Sequence, residues 1–277
     1  MYAALLSTAV SYRRREAFAA CGTSYWLLES RTRPGVFKLT ADFCHDRWCP
    51  ACGRMRADLV AGNVFAALHR QPARLVTLTV RSTDRPLKDQ LTRMYASFRR
   101  LRQLPLWKRC VQGGVAVLEL TYNEQTNRYH PHLHCLTHGL YMPQADLARD
   151  WLRSTGDSNI VDIRMVNSNE AASKYVSKYL AKPVDHAIYH SQNALREAIE
   201  ALRGVKQLIT FGDWRKLHLT RPLNEDDWRS LGHMHELAWK EDERHRALWL
   251  AITRNPFIAT KGEFTLIDLD QPTNDTS

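Results

Sequence analysis

The chain has 277 residues, 44% hydrophobic and 25% charged, an ordinary globular composition that excludes a disordered, collagenous or fibrous role. Thirty-nine Lys and Arg against twenty-nine Asp and Glu give a formal charge of +10, which points to a polyanionic partner. The charge is uneven: residues 1–183 carry 27 basic and 14 acidic side chains, whereas residues 184–277 carry 12 and 15.

In chain order, residues 1–53 read as irregular and cysteine-bearing, with a turn at Pro34–Gly35, and Arg54–His69 reads as a helix. Arg74–Val80 alternates, with Val76, Leu78 and Val80 on one face and Thr77 and Thr79 on the other, as a half-buried strand does. Leu87, Leu91, Met94, Phe98 and Leu101 recur at three- and four-residue steps, predicting an amphipathic helix that carries Arg99, Arg100 and Arg102 on its far side. A hairpin follows, Val115–Tyr122 and His132–Thr137 joined through Asn123–Asn127. Then come a helix at Gln144–Leu152, a strand at Ile160–Val166 and a helix at Ser168–Lys182 that Pro183 must stop. The remainder reads as mostly helical, with one strand at Gln207–Phe211. This order predicts an α+β fold on a mainly antiparallel sheet flanked by helices, with an N-terminal zinc-binding module and a helical C-terminal region. The apolar start Ala3–Val10 precedes the basic cluster Arg13–Arg15, the reverse of a secretory leader, and no apolar run reaches bilayer length. A cytoplasmic protein with reduced thiols is therefore expected.

Three clusters carry chemistry. In His130-Pro-His-Leu-His134, residues two apart on a strand share a face, so His132 and His134 can offer two imidazoles to one cation. Glu119 breaks an otherwise apolar neighbouring strand, and a carboxylate beside two imidazoles suits a divalent ion with open positions. The bland reading is three surface histidines and a solvated glutamate. Tyr175 and Tyr179 lie four apart on one side of a helix, flanked by Lys174, Lys178 and Lys182, which favour a phenolate or neutralise a phosphate. Taken alone, such a helix is more often half in the core with lysines in water. Cys44, Cys49 and Cys52 supply three thiolates for tetrahedral zinc, with Cys21 or else His45 as the fourth ligand. Arg54 and Arg56 follow at once, suiting a module that lies against DNA. Cys110 and Cys135 read as core residues.

Together, Cys-His-Asp-Arg-Trp-Cys-Pro-Ala-Cys, Leu-Val-Thr-Leu-Thr, His-Pro-His-Leu-His and Lys-Tyr-Val-Ser-Lys-Tyr resemble, in order, the motifs of rolling-circle plasmid replication initiators of the HUH endonuclease superfamily. Leu208-Ile-Thr-Phe-Gly212 resembles a downstream family segment. The resemblance implies Mg or Mn at His132 and His134 with Glu119 as third ligand, and Tyr175 as the nucleophile that becomes joined to a DNA 5′ phosphate. It leaves termination open between Tyr179, Glu170 and water, because Glu170 sits five residues before Tyr175. The implied partners are plasmid origin DNA and host replication proteins. The chain divides on this basis into a zinc-binding, DNA-contacting module (1–70), a tyrosine endonuclease core (71–183) and a helical region (184–277). A transposase or mobilisation relaxase on the same nuclease domain, and a non-enzymatic zinc-containing regulator, are the competing readings.

Overall fold

The computed structural model describes residues 11–68, 72–182, 184–220, 227–237, 239, 243–254 and 263–265. In chain order the elements are α1 (Tyr12–Ala19), β1 (Tyr25–Ser30), β2 (Val36–Ala41), α2 (Pro50–Leu68), β3 (Ala73–Thr79), α3 (Leu87–Leu101), α4 (Pro105–Cys110), β4 (Val111–Asn123), β5 (Arg128–Gly139), α5 (Gln144–Thr155), β6 (Val161–Val166) and α6 (Asn169–Ala181). A 3-10 turn at His186–His190 leads to α7 (Gln192–Ala201), β7 (Leu208–Gly212), a second 3-10 turn (Asp213–Lys216), β8 (Trp228–His233), α8 (Met234–Leu237), α9 (Glu243–Arg254) and β9 (Glu263–Thr265). The fold is thus α+β, with antiparallel sheets. Among the described residues, no helix is long and apolar enough to cross a membrane.

The chain packs as two units, one built on Asp46–Pro222, the other combining Tyr12–His45 with the described residues after Leu223. These bounds follow packing, whereas the three-part division above follows motifs. In the smaller unit the strands run β8-β1-β2-β9, all antiparallel, over a core of Leu27, Phe37, Leu237, Leu248 and Ile252. Here the structure corrects the reading of residues 1–53 as irregular, since β1 and β2 form a hairpin around Pro34–Gly35. The strand pattern of β1 is hidden because one inward position is Glu29, whose carboxylate accepts a 2.6 Å hydrogen bond from Arg229. A buried charge needs such a partner, and this one lies two hundred residues away.

The larger unit holds a five-stranded antiparallel sheet ordered β6-β3-β5-β4-β7. Pro131 falls inside β5, opposite Leu120, but beyond His132, the last β5 residue paired with β3. A proline without an N–H is tolerated where pairing on one side has ended. One sheet face, with Val76, Leu78, Leu118, Leu120, Leu133 and Cys135, is buried; α3 touches β5 on this side, and Phe98 meets Phe211 edge-on at 5.5 Å. On the other face Val115, Val117 and Leu136 pack with Ala57, Val60 and Val64 of α2 and Ala172, Val176 and Leu180 of α6. The helix α6 starts where the sequence indicates, with the Ser168 side chain accepting from the Ala171 N–H.

Candidate active site

The site occupies the end of the α2–α6 face that the two helices leave polar. Side chains two apart on a strand share a face, so Val115, Val117, Glu119 and Thr121 of β4 line up beside His132, His134 and Leu136 of β5. On β3, Thr77 stands opposite His134 and Thr79 opposite His132. Apolar positions therefore give way to hydroxyls, imidazoles and a carboxylate within the same register.

His134 is the hub. Its Nε2 lies 2.6 Å from Glu119 Oε2 and its Nδ1 2.9 Å from the Tyr175 hydroxyl. Thr77 Oγ1 is 3.2 Å from the same Nδ1 and 3.3 Å from the Tyr175 oxygen. The Tyr179 ring stacks on the His134 ring, with centroids 3.6 Å apart and planes at 11°. Tyr175 and Tyr179 meet edge-on at 4.9 Å. His132 is fixed by Thr79 Oγ1 at 3.1 Å from Nδ1 and by Thr121 Oγ1 at 3.5 Å from Nε2. The His130 ring lies 4.4 Å from that of His132, with Nε2 3.1 Å from the Val80 carbonyl. Lys178 Nζ stands 5.4 Å from the centre of the Tyr179 ring.

Burial sets the ionisation of these groups. It pushes the Tyr175 phenol up, against a hydrogen bond from Thr77 that pulls the other way, and it raises Tyr179 too. Burial also works to raise Glu119, but its hydrogen bond to His134 and its electrostatic interaction with His134, His132 and Lys178 outweigh it, leaving the carboxyl below its ordinary range. Desolvation lowers His132 to about 4, so its imidazole is neutral at neutral pH. His134 stands between a carboxylate at Nε2 and the Tyr175 hydroxyl at Nδ1. An ionised carboxylate and a neutral imidazole are the states that divalent-cation ligands require. The donors are not gathered to coordination distance here, since Glu119 is engaged with His134 directly.

Cys49 and Cys52 are buried at the head of α2 in the larger unit, and Cys21 and Cys44 belong to the smaller unit. Four thiols are the donor set of structural zinc, and these four cysteines could hold such an ion. Cys110 and Cys135 are buried, as core residues are.

A family model described as "Replication protein" matches residues 36–254, most of the chain. The chain belongs to this family. Curated relatives named "Protein rep" include one from Bacillus sp, 31% identical over 171 residues (56% of this chain, 55% of the relative). Another, from Bacillus amyloliquefaciens, is 34% identical over 142 residues (46% and 42%), and one from Streptococcus pneumoniae is 24% identical over 277 residues (89% and 85%). The chain spans about half the length of the first two of these relatives. No solved structure matches significantly. The family agrees with the resemblance to plasmid replication initiators drawn from the motifs.

The other candidate residues of this family member fall elsewhere. Glu170 sits exposed in the first turn of α6 and lines a different cavity, with Phe65, Ala73 and Val166, at the far end of β3 from Thr79. Lys174 is exposed on the same helix. Arg54 pairs with Asp58 at 3.2 Å, and Arg56 lines a cavity with Arg47, Lys206 and Arg215. Arg99, Arg100 and Arg102 lie on and just after α3, across the sheet from Tyr175. Arg100 donates to the Ser154 carbonyl, and Arg102 lies over the Phe98 ring at 4.8 Å. Thr77, Thr79 and Thr121 are the site residues that motif reading passed over. Parity was a signal for Thr121, which shares a face of β4 with Glu119, whereas Thr77 and Thr79 meet the histidines only through the pairing of β3 with β5.

Proposed function

We propose that this replication protein is a plasmid rolling-circle initiator that nicks one strand of origin DNA through Tyr175. The carrying observation is the Tyr175 hydroxyl at 2.9 Å from His134 Nδ1, on a face that also presents Glu119 and His132. The phenol oxygen attacks phosphorus, the new O–P bond forms as the bond to the 3′ oxygen breaks, and a 5′ phosphotyrosine and a free 3′ hydroxyl result. Because burial raises the phenol pKa, the proton must be drawn off for attack; His134 holds the phenol oxygen in position, and the charge of a cation held nearby would favour the phenolate, with the proton passing to solvent. Thr77 orients both partners, while Tyr179 clamps the imidazole plane by stacking. Lys178 adds positive charge for the incoming phosphate. Glu119, His132 and His134 would hold Mg or Mn, which when bound neutralises charge on the phosphate oxygens. The bond energy stays in the covalent link, so rejoining at termination needs no nucleotide, and Tyr179, close to Tyr175, is a second hydroxyl for that transfer. The cysteine cluster, loaded with zinc, would order the segment that presents Arg54 and Arg56 to duplex phosphates.

The test is incubation with supercoiled plasmid carrying the cognate origin and Mn. Open circles and a detergent-resistant protein–DNA adduct are expected. Absence of both would leave a DNA-binding protein without this chemistry.

A further inference from the structure

The five-stranded sheet ends on one side at β6, and no described strand pairs with its outer edge. β6 runs against β3 in unbroken register from Val161 to Val166, without proline or bulge. An edge of this kind offers a row of backbone donors and acceptors to another strand. The Thr79 N–H bonds to the Ile160 carbonyl, so by alternation Asp162 and Arg164 aim their backbone groups at β3, while Val161, Ile163 and Met165 aim theirs at the open edge. In agreement, the Val161 carbonyl takes its hydrogen bond from Gln144 of α5, at 3.3 Å. Ile160 and Met165, near the two ends of this edge, are large apolar side chains 67% and 68% exposed. Between them in sequence stand Asp162 and Arg164, one charge of each sign, on one face of the strand and 2.8 Å apart. At the opposite side of the sheet, Leu208–Gly212 of β7 carries no charge and so specifies no register.

We infer that β6 pairs antiparallel with β6 of a second copy of this chain, about a two-fold axis through Ile163. The charges select this register. Centred on Ile163, each Asp162 stands opposite the partner's Arg164, and the four charges alternate in sign around a square. Sliding the strands by two residues, the smallest step that keeps the outward backbone groups paired, sets Asp162 against Asp162 or Arg164 against Arg164, and like charges directly opposite are unfavourable. The same register sets Met165 against the partner's Val161, Ile163 against Ile163, and Ile160 against the partner's Val166, so both exposed apolar side chains gain apolar neighbours. The occupant is a second copy because the strand, read in the opposite direction, supplies its own complement, acid against base and apolar against apolar. An axis that relates identical antiparallel strands stands perpendicular to the sheet, so both copies turn the same face to the same side. Asp162 lies beside Thr77, on the Tyr175 face, and the dimer therefore presents two such faces side by side. No residue of the reacting site takes part, so dimerisation stands or falls separately from nicking.

The test is sedimentation velocity of the full chain over about a hundredfold range of concentration. The wild type should shift from a 32.0 kDa species toward twice that mass as concentration rises. Asp162→Arg and Arg164→Asp each set like charges opposite one another, and each should weaken self-association by about tenfold or more. Association should return in two ways. An equal mixture of the two single variants gives each chain its complement, and the double variant D162R/R164D reverses both charges together. A wild type that stays monomeric throughout overturns the pairing and leaves the edge bare or open to a different protein. A dimer that both single variants leave at full strength, or one that neither the mixture nor the double variant restores, overturns it as well and moves the interface off β6.

Discussion

The two ends of one sheet face have the same backbone and opposite roles. At one end Val115, Val117 and Leu136 are sealed under α2 and α6; two residues further along the same strands, Glu119 bonds to His134, and His134 to Tyr175. The pleat is unbroken between them, so no special backbone is needed to build the site. A change of side-chain type at positions that keep core parity is enough, with the packed end holding the polar end in register. His138, further along β5, shows the third possibility. It is a buried imidazole whose Nε2 is 2.9 Å from Asp213 and which stacks against Trp214, a polar pair with no nucleophile in reach.

This contrast can be broken in order of effect. Tyr175→Phe should abolish the adduct and lower nicking by at least about 10³-fold, with far-UV circular dichroism unchanged. Glu119→Gln removes a ligand charge and the anchor of His134 Nε2, and should cost on the order of 10²-fold in nicking rate. At the packed end, Leu136→Ala should cost about 3 kcal/mol in urea unfolding, as buried leucine truncations do, while folded protein still forms the adduct.

The smallest effect is on pH. His132 titrates near 4 when folded and near 6.5 when unfolded, so between these values the unfolded chain binds the extra proton. Stability of the metal-free protein should fall as pH drops from about 6.5 toward 4, by about 1–3 kcal/mol. His132→Gln should flatten that slope in EDTA-containing urea titrations. An equal slope in the variant would assign the loss to other groups.

Much of this was legible in the sequence because it is local. The spacing of Leu87, Leu91, Met94, Phe98 and Leu101 predicted α3, and the parity of His132 and His134 put them together on β5. The cysteine spacing singled out three of the four thiols that could hold a metal ion, and Cys21 is the fourth. What escaped depends on contacts distant in sequence. The pairing of Thr79 with His132 rests on β3 lying beside β5, and the stacking of Tyr179 on His134 rests on how α6 crosses the sheet. The β1–β2 hairpin was masked by Glu29, an inward carboxylate whose partner Arg229 is far along the chain.

The most direct measurement is the identity of the residue that carries DNA. After reaction with origin DNA and Mn, nuclease trimming and proteolysis, mass spectrometry should find the nucleotide phosphate on the peptide containing Tyr175, attached to that side chain. A first-turnover adduct on Tyr179, or on a residue away from the Glu119–His134 end of the sheet, would contradict the account.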